Sequence, residues 1–313
     1  MAVKAKRDFV TLSLAPSETE TQKAVRTHNM IREHLEGDPA LGKYNIRTYL
    51  QGSYKNSTNV RGDSDVDMGS QSQESFFYDL DDLPDDSIPS YSNMAKSLRK
   101  KVQESIVDSR FTYWDYRRDV YASLKLEYGV VEDGNKAIRI DGNTYRLDAD
   151  VLPCLGFRMY FKDLTGNADY HQGIGFLTSQ SKRIVNFPDQ HFDNLGAKDR
   201  RNNNKVKGCV RIMKRLRNEL EDAGRWDRKR SPSFYLESLV WNVPDHVFSG
   251  GYSSVLQNVL AHLWNDLREK KQQNDLRAYT QANNIFYLFH PEFWNVDDAL
   301  AFIDEIWKAA FDE

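Results

Sequence analysis

The chain has 313 residues, 40% hydrophobic and 28% charged, with a formal net charge of -3. That length allows one large domain or two lobes sharing a cleft, and the composition fits an ordinary soluble globular protein. The charge balance excludes a binder of nucleic acid that relies on overall basicity. The cysteines, Cys154 and Cys209, lie outside any CxxC pair and argue against both a disulfide framework and a cysteine-built zinc site.

The basic N-terminus, Met1 to Asp8, has no apolar core behind it, so it does not read as a signal peptide. No apolar run approaches the ~20 residues of a membrane span. The expected location is the cytoplasm. Ser17-Glu-Thr-Glu20 has the spacing of a capping box and predicts a helix from Glu18 to Glu36. Val25, Ile31 and Leu35 would be its apolar face, and Gly37-Asp38-Pro39 its end. Tyr44 to Gln51 reads as a strand running into Gly52, and Asp65 to Ser70 as the next strand. An acidic, Pro-containing stretch from Asp79 to Ser90 reads as a surface loop, and Met94 to Phe111 as a helix. Val120, Ala122, Leu124, Leu126 and Tyr128 alternate strictly and predict a half-buried strand. Lys136–Ile140 and Tyr145–Leu152 read as a hairpin closed by a tight turn at Asp141-Gly142-Asn143.

From about Pro188 the character becomes helical, with helices expected at Lys205–Glu221, Phe234–Asn242, Ser254–Lys270 and Val296–Ala310. The fold class is therefore α+β: a mixed sheet with helices over residues 1–187 and a helical lobe over 188–313. The boundary falls between Lys182 and Gly196. Charge is split the same way. Residues 62–90 hold nine acidic side chains and no Lys or Arg, while 198–230 hold thirteen basic against five acidic. A metal site in one lobe facing a phosphate-binding wall in the other would explain this, as would two solvated surfaces.

Chemistry concentrates in Gly52-Ser53-Tyr-Lys-Asn-Ser-Thr58 and Ser64-Asp65-Val-Asp67. Asp65 and Asp67, at i and i+2 on a strand, would share a face. Two carboxylates that close favour a cation between them, and magnesium takes oxygen ligands including substrate phosphates. Gly52 lets the backbone approach a ligand, and Ser53 would open a helix whose free amides meet a triphosphate. Asp-x-Asp alone is common, but with the Gly-Ser turn upstream it points to nucleotidyl transfer. A two-metal site needs a further carboxylate. Asp63, Asp148 and Asp150 all qualify on local chemistry. Lys207, Arg211 and Lys214 fall on one face of the helix from Lys205, where they could clamp phosphates or form a solvated basic face. Phe234, on pattern alone, reads as core. The seven histidines show no ligand spacing, and Gly173-Ile-Gly175 is too short for a dinucleotide fingerprint.

The chain resembles the bacterial cGAS/DncV-like nucleotidyltransferases, within the polymerase-beta-like superfamily. The matching segments are Gly-Ser-Tyr-Lys-Asn-Ser-Thr58, Ser-Asp-Val-Asp67, Asp-Val-Leu-Pro153, Arg-Ile-Met-Lys-Arg-Leu216 and Ser-Phe-Tyr-Leu-Glu237, in the family's order. The resemblance implies a polymerase-beta-like core and a helical C-terminal lobe with the active-site cleft between them. It implies that Asp65, Asp67 and Asp150 are catalytic and hold Mg2+, with Mn2+ able to replace it, leaving Asp63 and Asp148 outside the set. It places Lys214 and Ser233 on the donor triphosphate and Phe234 against a base, Phe replacing the family's Tyr and losing its hydroxyl.

The substrates implied are ATP and other nucleoside triphosphates, joined into a cyclic di- or trinucleotide with release of pyrophosphate. The product would activate a separate effector protein in anti-phage (CBASS) defence. No zinc-binding His/Cys insertion is present, so no DNA activator is expected; nor is a membrane partner, and the chain is expected to be a monomer. Transfer to an RNA end, a protein or a small molecule is the alternative reaction. A nucleotide- or RNA-binding module with a dead site is the alternative class.

Overall fold

The computed structural model describes residues 7–61, 65–80, 96–162, 165, 167–290 and 293–312. Among them seven strands form one mixed sheet: β1 (Ile46–Leu50), β2 (Val66–Asp79), β3 (Val131–Asp133), β4 (Ile138–Ile140), β5 (Ala149–Lys162), β6 (Ala168–Leu177) and β7 (Arg183–Asn186). β5 is central. It runs parallel to β2, which pairs antiparallel with β1. Its other edge takes β4 first and then β6.

Two helices back the sheet. Helix α2 (Glu18–Gly37) starts as expected, with the Ser17 hydroxyl accepting from the Glu20 amide. Its buried face is Ala24, Thr27, Ile31 and Leu35, whereas Val25 is exposed. The helical period simply carries Val25 off the Ile31–Leu35 stripe. The second is α5 (Tyr113–Tyr128), which corrects the strand expected over Val120–Tyr128. Thr112 and Asp115 form a reciprocal capping box. The buried positions Tyr113, Tyr116, Arg117, Val120, Ser123 and Leu124 then follow the helical period, leaving Ala122 and Leu126 in solvent. The alternation was an accident within a longer 3.6-residue pattern.

The expected hairpin exists in a different form. Ile138–Ile140 pairs with Ala149–Val151, and residues 141–148 connect them. Gly142 makes no tight turn; its amide donates to the Asp148 carboxylate at 2.5 Å, and the Asn143 side chain accepts from the amides of Tyr145 and Arg146. Of the expected surface loop, Asp79 is the buried end of β2 and residues 81–90 lie outside the described residues. The helix expected over Met94–Phe111 is α4 (Lys96–Ser105).

The C-terminal half is helical: α6 (Pro188–Arg201), α7 (Lys205–Asp222), α8 (Ser233–Trp241), α9 (Tyr252–Gln273) and α10 (Val296–Trp307). Its core is built on Val210, Met213, Leu216, Leu239, Leu260 and Phe302. The N-terminal helix α1 (Phe9–Ser13) joins this core through Phe9. Arg215 of α7 holds it there by donating to the carbonyls of Thr11, Leu12 and Leu14. A small cluster of Phe157, Met159, Phe187, Ile285 and Phe286 joins the far end of β5 to the C-terminal half. Both cysteines are buried and free. Among the described residues no helix is long and apolar enough to cross a membrane.

The helical reading of α5 separates two leucines that an alternating strand would have treated alike. Leu124→Ala should lower unfolding free energy by about 2–5 kcal/mol. Leu126→Ala, at an 88% exposed position, should change it by less than about 0.5 kcal/mol. Urea unfolding of the two variants measures both.

Candidate active site

β1 ends at Leu50, and the chain turns through Gly52 into a short helix, α3 (Gly52–Asn56). Gly52 has φ +61°, and a Cβ there would lie 2.2 Å from Asp67 Oδ2. Only glycine permits that backbone angle and that approach together. The turn is thereby pressed against the carboxylate. Among the described residues no side chain caps the start of α3, and Gly52 and Ser53 line the cleft. Ser57 then takes a left-handed conformation and ends the helix.

Asp67 and Asp150 are register partners across the parallel β2–β5 ladder. Directly opposed residues on one face bring their side chains together. Asp65 precedes β2 by one residue and pairs with Arg139 of β4 at 3.3 Å. Asp148 also pairs with Arg139, at 2.8 Å, and accepts from the Gly142 amide. Asp148 is thus committed to the β4–β5 connection, and Asp150 is the carboxylate beside Asp67. Asp63 lies outside the described residues.

Burial, and then the charges of Asp150 and Asp65, push the Asp67 carboxyl up to about 7. Burial and Asp65 likewise raise Asp150. Carboxylate oxygens of this kind are donors suited to a hard divalent cation. Among the described residues no three His, Cys, Asp or Glu side chains are grouped closely enough to hold a metal ion by themselves.

A cleft of about 280 Å³ opens beside Asp67, lined also by Gly52, Ser53, Asn186, Ser233 and Phe234. Ser233 is the first residue of α8, and the Phe234 ring lies 4.8 Å from His191 of α6. Asp65 and Asp150 flank Asp67 rather than line this cleft. Lys214 does not line it either. Its Nζ is buried and donates to the Thr58 carbonyl at 3.0 Å. Arg211 donates to the carbonyls of Ser57 and Ser13, both at 2.6 Å. Two of the three cations expected to form a basic face instead hold backbone carbonyls of the Gly52–Thr58 loop. Lys207 is half-buried, and burial lowers its pKa.

The loop is also held through Glu237 of α8, which is fully buried. Its carboxylate accepts from Asn56 Nδ2 at 2.8 Å, from the Thr58 hydroxyl, and from His191 Nε2 at 2.6 Å. Burial opposes its ionisation, but the bonds from His191 and Thr58 and the charge of Lys214 hold its pKa below the usual carboxylate value.

The chain matches known proteins over nearly its whole length. Residues 193–310 match the model of the cGAS/DncV-like nucleotidyltransferase C-terminal helical domain. A cyclic dipyrimidine nucleotide synthase, CdnE, of Legionella pneumophila is 32% identical over 312 residues, covering 98% of each chain. The chain belongs to the cGAS/DncV-like nucleotidyltransferase family. It is an enzyme of the nucleotidyltransferase type, with the α+β fold of that family. A cyclic UMP-AMP synthase of Rhodothermus marinus is 32% identical over 294 residues, 92% of this chain and 93% of that one. The solved structure of Rhodothermus marinus CdnE c-UMP-AMP synthase with Apcpp and Upnpp has a TM-score of 0.77 at 30% identity, covering 96% of this chain and 94% of that chain. That of Elizabethkingia meningoseptica CdnE cyclic dinucleotide synthase with GTP and Apcpp has a TM-score of 0.75 at 28% identity, covering 98% of each.

Within this nucleotidyltransferase, sequence reasoning missed His191, Glu237 and the supporting roles of Asn56 and Thr58. His191 has no motif spacing, and its helix was not expected. Pro188 at the first helical position, followed by Asp189, was the signal that could have revealed α6. Removing Glu237 would leave Lys214 and His191 facing an empty buried site. Glu237→Ala should therefore lower unfolding free energy by about 3–5 kcal/mol, read by urea denaturation. A loss below about 1 kcal/mol would mean that the carboxylate does not hold the loop.

Proposed function

We propose that this chain joins ribonucleoside triphosphates into a cyclic di- or trinucleotide, releasing pyrophosphate. The observation that carries the reading is the pairing of Asp67 with Asp150 across the β2–β5 ladder, hard against the Gly52 turn. It occurs in a chain that aligns nearly end to end with a cyclic dinucleotide synthase. Asp65, Asp67 and Asp150 would hold Mg2+, with Mn2+ able to serve. Bound there, the metal supplies charge for a ribose hydroxyl to lose its proton and for the departing pyrophosphate to be stabilised.

The chain's own residues bind and orient. The amides of Gly52 and Ser53 and the Ser53 hydroxyl receive the donor triphosphate, with Ser233 on the opposite wall. Lys214 contributes from beneath, by fixing the Thr58 carbonyl and placing its charge near Asp67. Phe234, backed by His191, offers its ring to a base. A linear intermediate turns within the same cleft and closes. The relatives are named for dipyrimidine, dipurine and UMP-AMP products, so family membership does not by itself choose the bases. The enzyme works in the cytoplasm as a monomer without a DNA activator, in anti-phage signalling through a product-activated effector.

The Asp65→Asn, Asp67→Asn double variant tests the site. Wild-type protein incubated with magnesium and all four ribonucleoside triphosphates should give a phosphatase-resistant product, identified by mass spectrometry. The double variant should give none while keeping the wild-type unfolding midpoint. Product from the double variant would refute the site. Label appearing only on an added RNA, protein or small-molecule acceptor would replace cyclisation with acceptor modification.

A further inference from the structure

A second cavity of about 240 Å³ adjoins Lys55. Its walls include Arg47, Tyr49, Lys55, Gln71, Arg158 and Gln172. It shares Lys55 and Pro188 with the cleft but none of Asp67, Ser53, Ser233 or Phe234. Three cations line it against the carboxylate of Asp189, which is paired with Lys55.

The two arginines are held differently. Among the described residues neither Arg47 nor Arg158 has a carboxylate partner. The Arg158 guanidinium lies 3.9 Å from the centre of the Phe76 ring and 5.0 Å from that of Tyr170. Arg47 lies 5.8 Å from the Tyr49 ring. Stacking orders a guanidinium while leaving its in-plane N–H groups free.

The floor adds donors. A Cβ on Gly156 would sit 3.3 Å from Gln172 Nε2 and 3.4 Å from Gln71 Nε2. Two amide nitrogens thus converge over Gly156; that of Gln172 donates one hydrogen to the Gly173 carbonyl at 3.1 Å and keeps a second. Stacked arginines, a lysine and convergent amides recognise phosphate oxygens better than any neutral ligand. The spread of three cations around one cavity suits linked phosphates rather than a single one.

We propose that this cavity binds a pyrophosphate group, either free or as the polyphosphate end of a nucleotide, at a site separate from the carboxylate cleft. Because Lys55 belongs to α3 and lines both spaces, an occupant competes with Asp189 for Lys55 and is felt at the Gly52–Thr58 loop. The site does not depend on the cleft being catalytic.

Calorimetric titration of the full chain with pyrophosphate, without divalent cations and at low salt, tests it. Wild-type protein and the Asp65→Asn, Asp67→Asn double variant should both bind. An Arg47→Gln, Arg158→Gln variant with an unchanged unfolding midpoint should bind at least roughly tenfold more weakly. Absence of binding to wild type, or equal affinity in the arginine variant, would overturn the proposal. A parallel titration with a non-hydrolysable nucleoside triphosphate separates the sources. A larger loss for the nucleotide in the arginine variant assigns the site to a nucleotide's polyphosphate end. A loss confined to pyrophosphate assigns it to the free ion.

Discussion

The buried carboxylate of Glu237 joins the two halves of this protein. Placing an ionised group out of water costs several kcal/mol unless its lone pairs are filled. Here three donors fill them: Asn56 and Thr58 from the sheet side, and His191 from α6. Lys214 stands behind as the counter-charge. Losing any one donor leaves an acceptor position of a buried carboxylate unfilled, so these bonds tie the Gly52–Thr58 loop to α8. Ser233 and Phe234, one turn earlier on α8, are thereby set opposite Gly52 and Ser53.

This arrangement uses part of the chain's uneven charge. The cations of α7 are spent largely inward. Arg211, Lys214 and Arg215 clamp backbone carbonyls of the loop and of α1. The acidic side gathers Asp65, Asp67 and Asp150 at one end of the sheet, where they repel one another. The loop is held by positive groups at its back and the carboxylates stand at its front. Under the proposed function a metal-bound triphosphate would fit between two such surfaces, since it carries both signs of charge.

Much of the site could be read from local sequence because its parts are local. Gly52-Ser53 and Asp65-Val-Asp67 each need only a turn or a strand parity to be recognised. The third carboxylate could not be chosen that way, since Asp148 and Asp150 share a parity; the cross-strand register puts Asp150, not Asp148, opposite Asp67. The role of Lys214 was hidden because a helix face gives a direction but not the neighbour. The Glu237–His191 contact was hidden for the same reason, being 46 residues apart in sequence. In the fold, the caps and the C-terminal helices were legible from punctuation. Helix α5 was not, because nine alternating residues mimicked a strand, and β6 and β7 were not, because their burial depends on partners. The segment before α2 gave no hint that Phe9 belongs to the helical core.

In the proposed function one loop, held from behind by Glu237 and Lys214, presents a triphosphate to the carboxylates beside it. A crystal structure of the chain with magnesium and a non-hydrolysable nucleoside triphosphate addresses it directly. The phosphates should lie on the amides of Gly52 and Ser53, with metal bridging them to Asp65 and Asp67. The Glu237 bonds to Asn56, Thr58 and His191 should remain intact. A triphosphate bound away from this loop, or metal bound without Asp67, would contradict the claim.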